Sequence, residues 1–216
     1  MRALAVVFLA LLAGAQQGAP NAPGAPAATP PPSPLAQQRR VTTRYDDFFR
    51  KYTKRYFGPT FDWRRFKAQA MAESDLVPTA RSGAGARGLM QLMPSTYSAI
   101  ASVHDNYKAI NDPQSNIAAG IEHDHDLWML WENYRVAGED RLEFMFGSYN
   151  AGEGTILRAR ARAKKSQLDP EIWQSVVVVA PKVPRWRYRE TLGYVTTIAG
   201  NYEFLTPAPI AVASPR

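Results

Sequence analysis

The sequence predicts a mainly α-helical domain with at most a minor β element. Hydrophobic and aromatic residues recur at helical spacing along most of residues 45–205, whereas only the four valines at 176–179 favour a strand. The chain has 216 residues, of which 45% are hydrophobic and none is cysteine. A single domain of this size can form a core, and its stability must come from packing without disulfides.

The N-terminal part of the chain is predicted to lie outside that domain. Residues 1–15 have the pattern of a signal peptide, with Arg2, the apolar run "ALAVVFLALL" and a small-residue cleavage site. The apolar run is too short to span a bilayer. Residues 16–40 are rich in proline and alanine and predict a disordered tether, whereas 41–206 should form the domain and 207–216 a flexible tail. We therefore expect an exported, soluble protein, periplasmic or secreted, with no membrane insertion after signal cleavage and no lipid-modified cysteine.

Three helices are predicted in the first half of the domain. The stretch "YDDFFRKYTKRYFG" places aromatic side chains at helical spacing and stops at Gly58. The second helix opens at Asp62 as N-cap and runs through "WRRFKAQAMAES", and a third covers 94–103. The spacing of the second helix predicts that Glu73 shares the buried stripe. That stripe consists of Trp63, Phe66, Ala70 and Glu73.

The second half of the domain continues the helical pattern. Asp112 should cap a long helix that begins at Pro113. Asp140 is expected to cap a helix over "RLEFMFGSYN" that stops near Gly152. A short helix follows through "ILRARARAKK", whose basic residues predict a solvated surface, and the last helix covers 188–205.

The composition excludes several classes of function. The formal net charge of +7 favours an anionic partner. For an exported protein this is a cell wall or membrane surface, and no nucleic-acid-binding module is present in the sequence. The absence of cysteine excludes a thiol nucleophile and a cysteine-ligated zinc site. No serine has the context of a catalytic nucleophile.

Two motifs suggest sites that their context does not favour. Residues 83–88 match G-x-G-x-x-G, but a helix and Pro78 precede them, so we predict no dinucleotide site. These glycines would instead let the backbone approach a ligand or another segment. In "HDHD", His123 and His125 are two residues apart and point in different directions on a helix, so we expect a solvated face and no metal site.

The strongest candidate site lies in "MAESDLVPTARSGAGARGLMQLMP", where Glu73 stands between two apolar segments. Apolar surroundings disfavour an ionised carboxylate, so Glu73 would keep its proton and could act as a general acid. A glutamate near a helix end is more often simply solvated. The neighbours favour catalysis, because Ser74 offers a hydroxyl and Gln91 an amide beside an apolar wall. Tyr149 and Asn150 add an aromatic face and a second amide, a combination typical of sugar binding.

Four motifs in this order resemble the soluble lytic transglycosylases, which have a goose-type-lysozyme-like catalytic domain. They are "ES" with "PTARSGAGARGLMQLMP", "NDPQSNIAAG", "SYNAG" and "ETLGYV", and the resemblance covers about residues 45–205. The resemblance implies a lysozyme-like helical fold. It also implies cleavage of the β-1,4 bond between N-acetylmuramic acid and N-acetylglucosamine in peptidoglycan glycan strands. The product would be a 1,6-anhydromuramoyl end, formed without water, metal or other cofactor.

The same resemblance assigns roles to individual residues. Glu73 matches the single catalytic acid/base. The implied substrate-binding residues are Ser74, Met90, Gln91, Tyr149, Asn150 and Tyr194. Three features depart from the family pattern: Gly147 and Ser148 replace two alanines, Leu192-Gly193 replaces a polar pair, and residues 166–186 do not align.

One carboxylate suffices for the implied reaction. Glu73 would protonate the glycosidic oxygen and then take the proton of the C6 hydroxyl, which attacks C1 within the same sugar. Ordinary glycosidases need two carboxyl groups instead. Two alternatives stay open: a goose-type muramidase that hydrolyses the same bond, and a non-catalytic wall-binding module of a secretion apparatus, against which the intact Glu73 argues.

Overall fold

The computed structural model describes residues 41–206, so the predicted signal peptide, tether and tail lie outside the described residues. Within this range the chain forms α-helices and one short 3₁₀ turn, which confirms the predicted mainly α-helical fold. The helices are α1 (Asp46–Phe57), α2 (Arg64–Ser74), α3 (Pro94–Ala101), α4 (Pro113–Asn133), α5 (Gly138–Ala151), α6 (Glu153–Lys165), α7 (Trp173–Val179) and α8 (Tyr188–Leu205), with the 3₁₀ turn at Ala180–Lys182.

The predicted strand at 176–179 is wrong, because these valines belong to α7. Val176 and Val179 are three residues apart and bury on one face of the helix, while Val178 is exposed. That spacing suits a helix that covers the core better than a strand with no partner in residues 41–206. The only β pairing in the described residues is two isolated bridges, Arg81 with Arg87 and Arg87 with Leu92.

The predicted helix starts are partly confirmed. The Asp112 carboxylate accepts a hydrogen bond from the Ser115 backbone N–H at 2.9 Å, and Pro113 is the first residue of α4. The cap predicted at Asp140 is wrong, since α5 already begins at Gly138. Asp140 Oδ1 instead accepts a hydrogen bond from the Trp173 backbone N–H at 2.7 Å and so holds the start of α7.

Helices α4 and α5 pack against each other at the centre of the domain. Helix α1 packs on α4, α6 and α8 pack on α5, and α8 also lies along α2. Trp131 of α4 and Phe144 of α5 are fully buried, with ring centroids 4.7 Å apart. Because α8 lies along α2, a side chain from the first half of α8 can reach the C-terminal end of α2.

A buried ion pair joins the first two helices. Lys67 Nζ of α2 donates to Asp46 Oδ1 at 2.7 Å and to the Thr42 carbonyl at the same distance. These bonds satisfy a buried cation, as burial of a charge requires. Among the helices of residues 41–206, none is both long and apolar enough to cross a membrane.

Candidate active site

Glu73 is the penultimate residue of α2 and lines a groove on the surface of the domain. Its Oε1 accepts a hydrogen bond from the Tyr194 hydroxyl of α8 at 2.6 Å. Burial raises the pKa of Glu73 to about 7, and the hydrogen bond from Tyr194 opposes that rise in part. At neutral pH the carboxyl group is therefore poised to donate a proton and to accept one.

Helix α2 ends at Ser74, one residue after Glu73. Asp75 and Leu76 both have positive φ values, 51° and 59°, which turn the chain away from the helix axis. The Ser74 hydroxyl lies 2.8 Å from the Leu89 carbonyl and 3.2 Å from the Ala70 carbonyl. A hydroxyl has one proton to donate, so the shorter contact ties the end of α2 to the following loop.

The loop between α2 and α3 is held by Asn116 of α4. Asn116 Oδ1 accepts from the Met90 backbone N–H at 2.8 Å, and its Nδ2 donates to the carbonyls of Arg87 at 3.1 Å and Ile110 at 2.8 Å. Gly88 has a φ of +81°, and a Cβ atom there would lie 2.4 Å from Asn116 Nδ2. This glycine lets the loop backbone approach another segment, as its sequence context predicts.

The "GLMQLMP" segment divides into a buried and a groove-facing part. Met90 is fully buried, and it packs so close to Gly120 that a Cβ there would lie 2.7 Å from Met90 Cβ. Gln91 has a φ of +44° and lines the groove, where its Nε2 donates to the Gly88 carbonyl at 2.9 Å. Tyr149 of α5 donates its hydroxyl to the Met90 carbonyl at 2.7 Å. One loop residue therefore anchors the segment while the next is presented to the groove.

The groove has a volume of about 730 Å³. Its walls come from the end of α2, the α2–α3 loop, the α5–α6 junction and the segment before α8. Of the predicted site residues, the structure places Glu73, Gln91, Tyr149 and Asn150 on these walls. Tyr194 joins them through its bond to Glu73, whereas Ser74 and Met90 support the loop from behind.

Charged residues that the sequence did not single out also line the groove. Arg158 lines it, although its basic run was predicted to be mainly a solvated surface. Arg185 comes from the segment between the 3₁₀ turn and α8, and Glu153 and Glu190 are further lining residues. Glu190 pairs with Arg187 at 3.0 Å. Only the fold brings these residues together, so no local sequence signal could have found them.

The prediction of a solvated face for "HDHD" is wrong for its first two residues. Asp124 is fully buried, and burial raises its pKa well above the usual value. Gln69 Nε2 of α2 donates to Asp124 Oδ1 at 3.2 Å. Burial lowers the pKa of His123 to about 4, so this ring is neutral, and it lies 5.2 Å from the Tyr149 ring. Gln69, His123 and Asp124 therefore form a buried layer behind Glu73 and Tyr149, on the side away from the groove.

Comparison with known proteins identifies the same part of the chain. Residues 49–172 match the family model of the transglycosylase SLT domain. The membrane-bound lytic murein transglycosylase F of Maricaulis maris is 31% identical over 156 residues, covering 72% of this chain and 33% of the relative. The protein of the same name from Desulfosudis oleivorans is 30% identical over 178 residues, covering 77% of this chain and 38% of the relative.

Solved structures show the same fold. The 70-kDa soluble lytic transglycosylase SLT70 of Escherichia coli superimposes with a TM-score of 0.55 at 26% identity, covering 76% of this chain and 24% of SLT70. The chain thus spans between about a quarter and two fifths of the length of these relatives. The shared part is the domain that carries Glu73 and the groove.

Proposed function

Because the chain belongs to the transglycosylase SLT domain family, we propose that it is a peptidoglycan lytic transglycosylase with Glu73 as its single acid/base. It would cleave the β-1,4 bond between N-acetylmuramic acid and N-acetylglucosamine and leave a 1,6-anhydromuramoyl end. The observation that carries the proposal is the Glu73 carboxyl group, which faces the groove with a pKa of about 7 and accepts a 2.6 Å hydrogen bond from Tyr194.

Glu73 would act twice in one turnover. In its protonated form it donates a proton to the glycosidic oxygen as the bond to C1 breaks. As a carboxylate it then accepts the proton of the C6 hydroxyl while that oxygen bonds to C1. Both forms are accessible near neutral pH, since the pKa of Glu73 is about 7. The attacking hydroxyl belongs to the same sugar, so no second protein carboxylate is needed to activate water.

The other groove residues would bind the glycan and hold the acid. Tyr194 fixes the orientation of the Glu73 carboxyl and stabilises its charged form. Tyr149 offers part of its ring to a sugar face, while Asn150 and Gln91 present amides to hydroxyl or acetamido groups. Ser74 and Met90 would act through the loop, because their side chains are used in holding it.

We also propose that the protein is exported and works on the cell wall outside the cytoplasm, as a soluble enzyme. The signal-like residues 1–15 and the net charge of +7 support this location. The named relatives are membrane-bound, but this sequence has no cysteine that could carry a lipid. Peptidoglycan strands are the expected partner, and neither nucleic acid nor stable membrane insertion is expected.

Digestion of purified sacculi tests the proposal. Mass spectrometry of the released muropeptides should find 1,6-anhydro ends, one water lighter than the products of a hydrolase. Digestion in ¹⁸O-labelled water should leave the products unlabelled. Incorporation of solvent oxygen into reducing ends would instead assign the chain as a muramidase. Binding to sacculi with no release by the wild-type protein would make it a wall-binding module.

A further inference from the structure

Gln69 of α2 and Asp124 of α4 form a polar pair in the core. Gln69 lies one helical turn before Glu73. Both side chains are fully buried, and Gln69 Nε2 donates to Asp124 Oδ1 at 3.2 Å. Within the described part of the chain, the other oxygen of each group, Gln69 Oε1 and Asp124 Oδ2, has no hydrogen-bond partner. An unmade hydrogen bond in a core is costly, so two adjacent ones call for a physical explanation.

The charges around Asp124 also disfavour its ionised form. The groups that interact with it are Gln69 and Glu73 of α2, Tyr149 of α5 and Tyr194 of α8. Glu73 is acidic, the tyrosines are neutral phenols, and His123 next to Asp124 is an uncharged ring. No lysine or arginine of residues 41–206 forms a salt bridge with Asp124. A carboxylate buried without a cation takes up a proton instead.

A single proton resolves both observations. A proton on Asp124 Oδ2 makes that atom a donor, and Gln69 Oε1 is the free acceptor of the same pair. The two side chains then exchange two hydrogen bonds in one ring, Gln69 Nε2–H to Asp124 Oδ1 and Asp124 Oδ2–H to Gln69 Oε1. We propose that Asp124 is protonated in the folded protein, forms this closed pair with Gln69, and thereby keeps negative charge away from the buried side of Glu73.

The pair has a consequence for catalysis that rests on the proposed function. A negative charge at Asp124 would disfavour the carboxylate form of Glu73, since the two acids interact electrostatically. Glu73 would then hold its proton more tightly and would be a weaker acid, so its proton transfer to the glycosidic oxygen would be slower. Asp124 does not line the groove, so it is a positioning residue that acts through its neutrality.

The folding equilibrium tests the protonation without any turnover assay. Asp124→Asn keeps the ring, because the asparagine amide donates to Gln69 Oε1 and its oxygen accepts from Nε2. A carboxyl that is ionised when unfolded and protonated when folded makes the folding constant fall about tenfold per pH unit above the unfolded pKa. Between about pH 5 and pH 7, Asp124→Asn should therefore gain ~100-fold in that constant relative to wild type. Asp105→Asn, at an exposed aspartate between α3 and α4, is the matched control and should follow the wild type.

Infrared spectroscopy gives a second measurement that does not depend on activity. In a Glu73→Gln background at neutral pH, the carbonyl band of a protonated carboxylic acid should be present and should weaken on Asp124→Asn. An unchanged band, or a stability difference that stays flat with pH, would overturn the proposal. If sacculi are not cleaved at all, the proposed function fails, while these two measurements still decide the state of Asp124.

The pH profile of turnover tests the catalytic consequence. The midpoint assigned to Glu73 should stay in place in Asp124→Asn, because both residues are neutral. Gln69→Glu puts two acids in the pair and one negative charge beside Glu73, so the midpoint should move to higher pH by about one unit. A fall of the midpoint in Asp124→Asn would mean that Asp124 is ionised in the wild type.

Discussion

Tyr194→Phe isolates the hydrogen bond that holds the candidate acid. The substitution removes the hydroxyl 2.6 Å from Glu73 Oε1 and keeps the ring. A hydrogen bond to a charged group stabilises by about 1.5–3 kcal/mol, against about 0.5–1.5 kcal/mol for a neutral partner. The difference, roughly 1–2 kcal/mol, corresponds to about one pKa unit at 1.36 kcal/mol each. Since the bond lowers the pKa of Glu73, its loss should raise that pKa from about 7 to about 8.

The sign of the stability change follows from the same shift. At pH values where Glu73 is protonated, Tyr194→Phe loses only a neutral hydrogen bond and should be mildly destabilised. Above about pH 8, where the wild-type carboxylate is charged, the variant should lose a further 1–2 kcal/mol, roughly, of unfolding free energy.

Two measurements on this variant check the argument. Muropeptide release from sacculi, followed from about pH 5 to pH 9, should show lower turnover and a midpoint moved upward by about one unit. A ¹³C NMR titration of the Glu73 carboxyl should show the same shift in the free protein. Tyr188→Phe, which removes a hydroxyl from the same helix away from Glu73, is the control and should leave the midpoint in place. A midpoint that stays fixed or falls in Tyr194→Phe would refute the role given to this bond.

Three further outcomes are expected. Glu73→Gln should lower turnover at least ~10²-fold, and retained activity on sacculi would refute the mechanism. The stability of this variant should exceed that of the wild type by a margin that grows as pH rises from about 4 toward 7, because folding no longer has to keep a buried acid protonated. Gly88→Ala should cost about 1–3 kcal/mol in chemical denaturation, since the new Cβ would meet Asn116 at 2.4 Å and φ is +81°; an unchanged denaturation midpoint would contradict the loop geometry. A chain that starts at Val41 should melt and cleave like the full chain, and a large drop in melting temperature would show that residues 16–40 pack on the domain.

Periodicity and local chemistry were sufficient for most of the helices, though not for α7, and for the inward orientation of Glu73 on α2. The stripe that includes Phe66 and Ala70 places Glu73 on the inner side of α2, and the structure finds both apolar residues fully buried. The Asp112 cap is equally local, since a carboxylate three residues before a free N–H needs no tertiary partner. Such signals can be read in one stretch of sequence.

The features that the sequence did not reveal depend on partners far along the chain. Gly147 makes room for Trp173, whose ring atom Cη2 would lie 2.3 Å from a Cβ at that position. Ser148 accepts a hydrogen bond from Trp131 Nε1 at 3.0 Å. These contacts explain why glycine and serine suit positions 147 and 148. In the same way, Asp124 can be recognised as buried only once Gln69 is known to face it.

Asn116 and Tyr149 have a consequence for how the groove can change over evolution. Both belong to core helices, and together they fix the backbone of the α2–α3 loop at Arg87 and Met90. The distance between the groove walls is thus set by helix packing, while Ala84 at the loop tip is exposed and lines the groove. Mutation at that tip can vary the chemistry of the rim without altering the width of the groove. The width of the groove and the chemistry of its rim can therefore change independently by mutation.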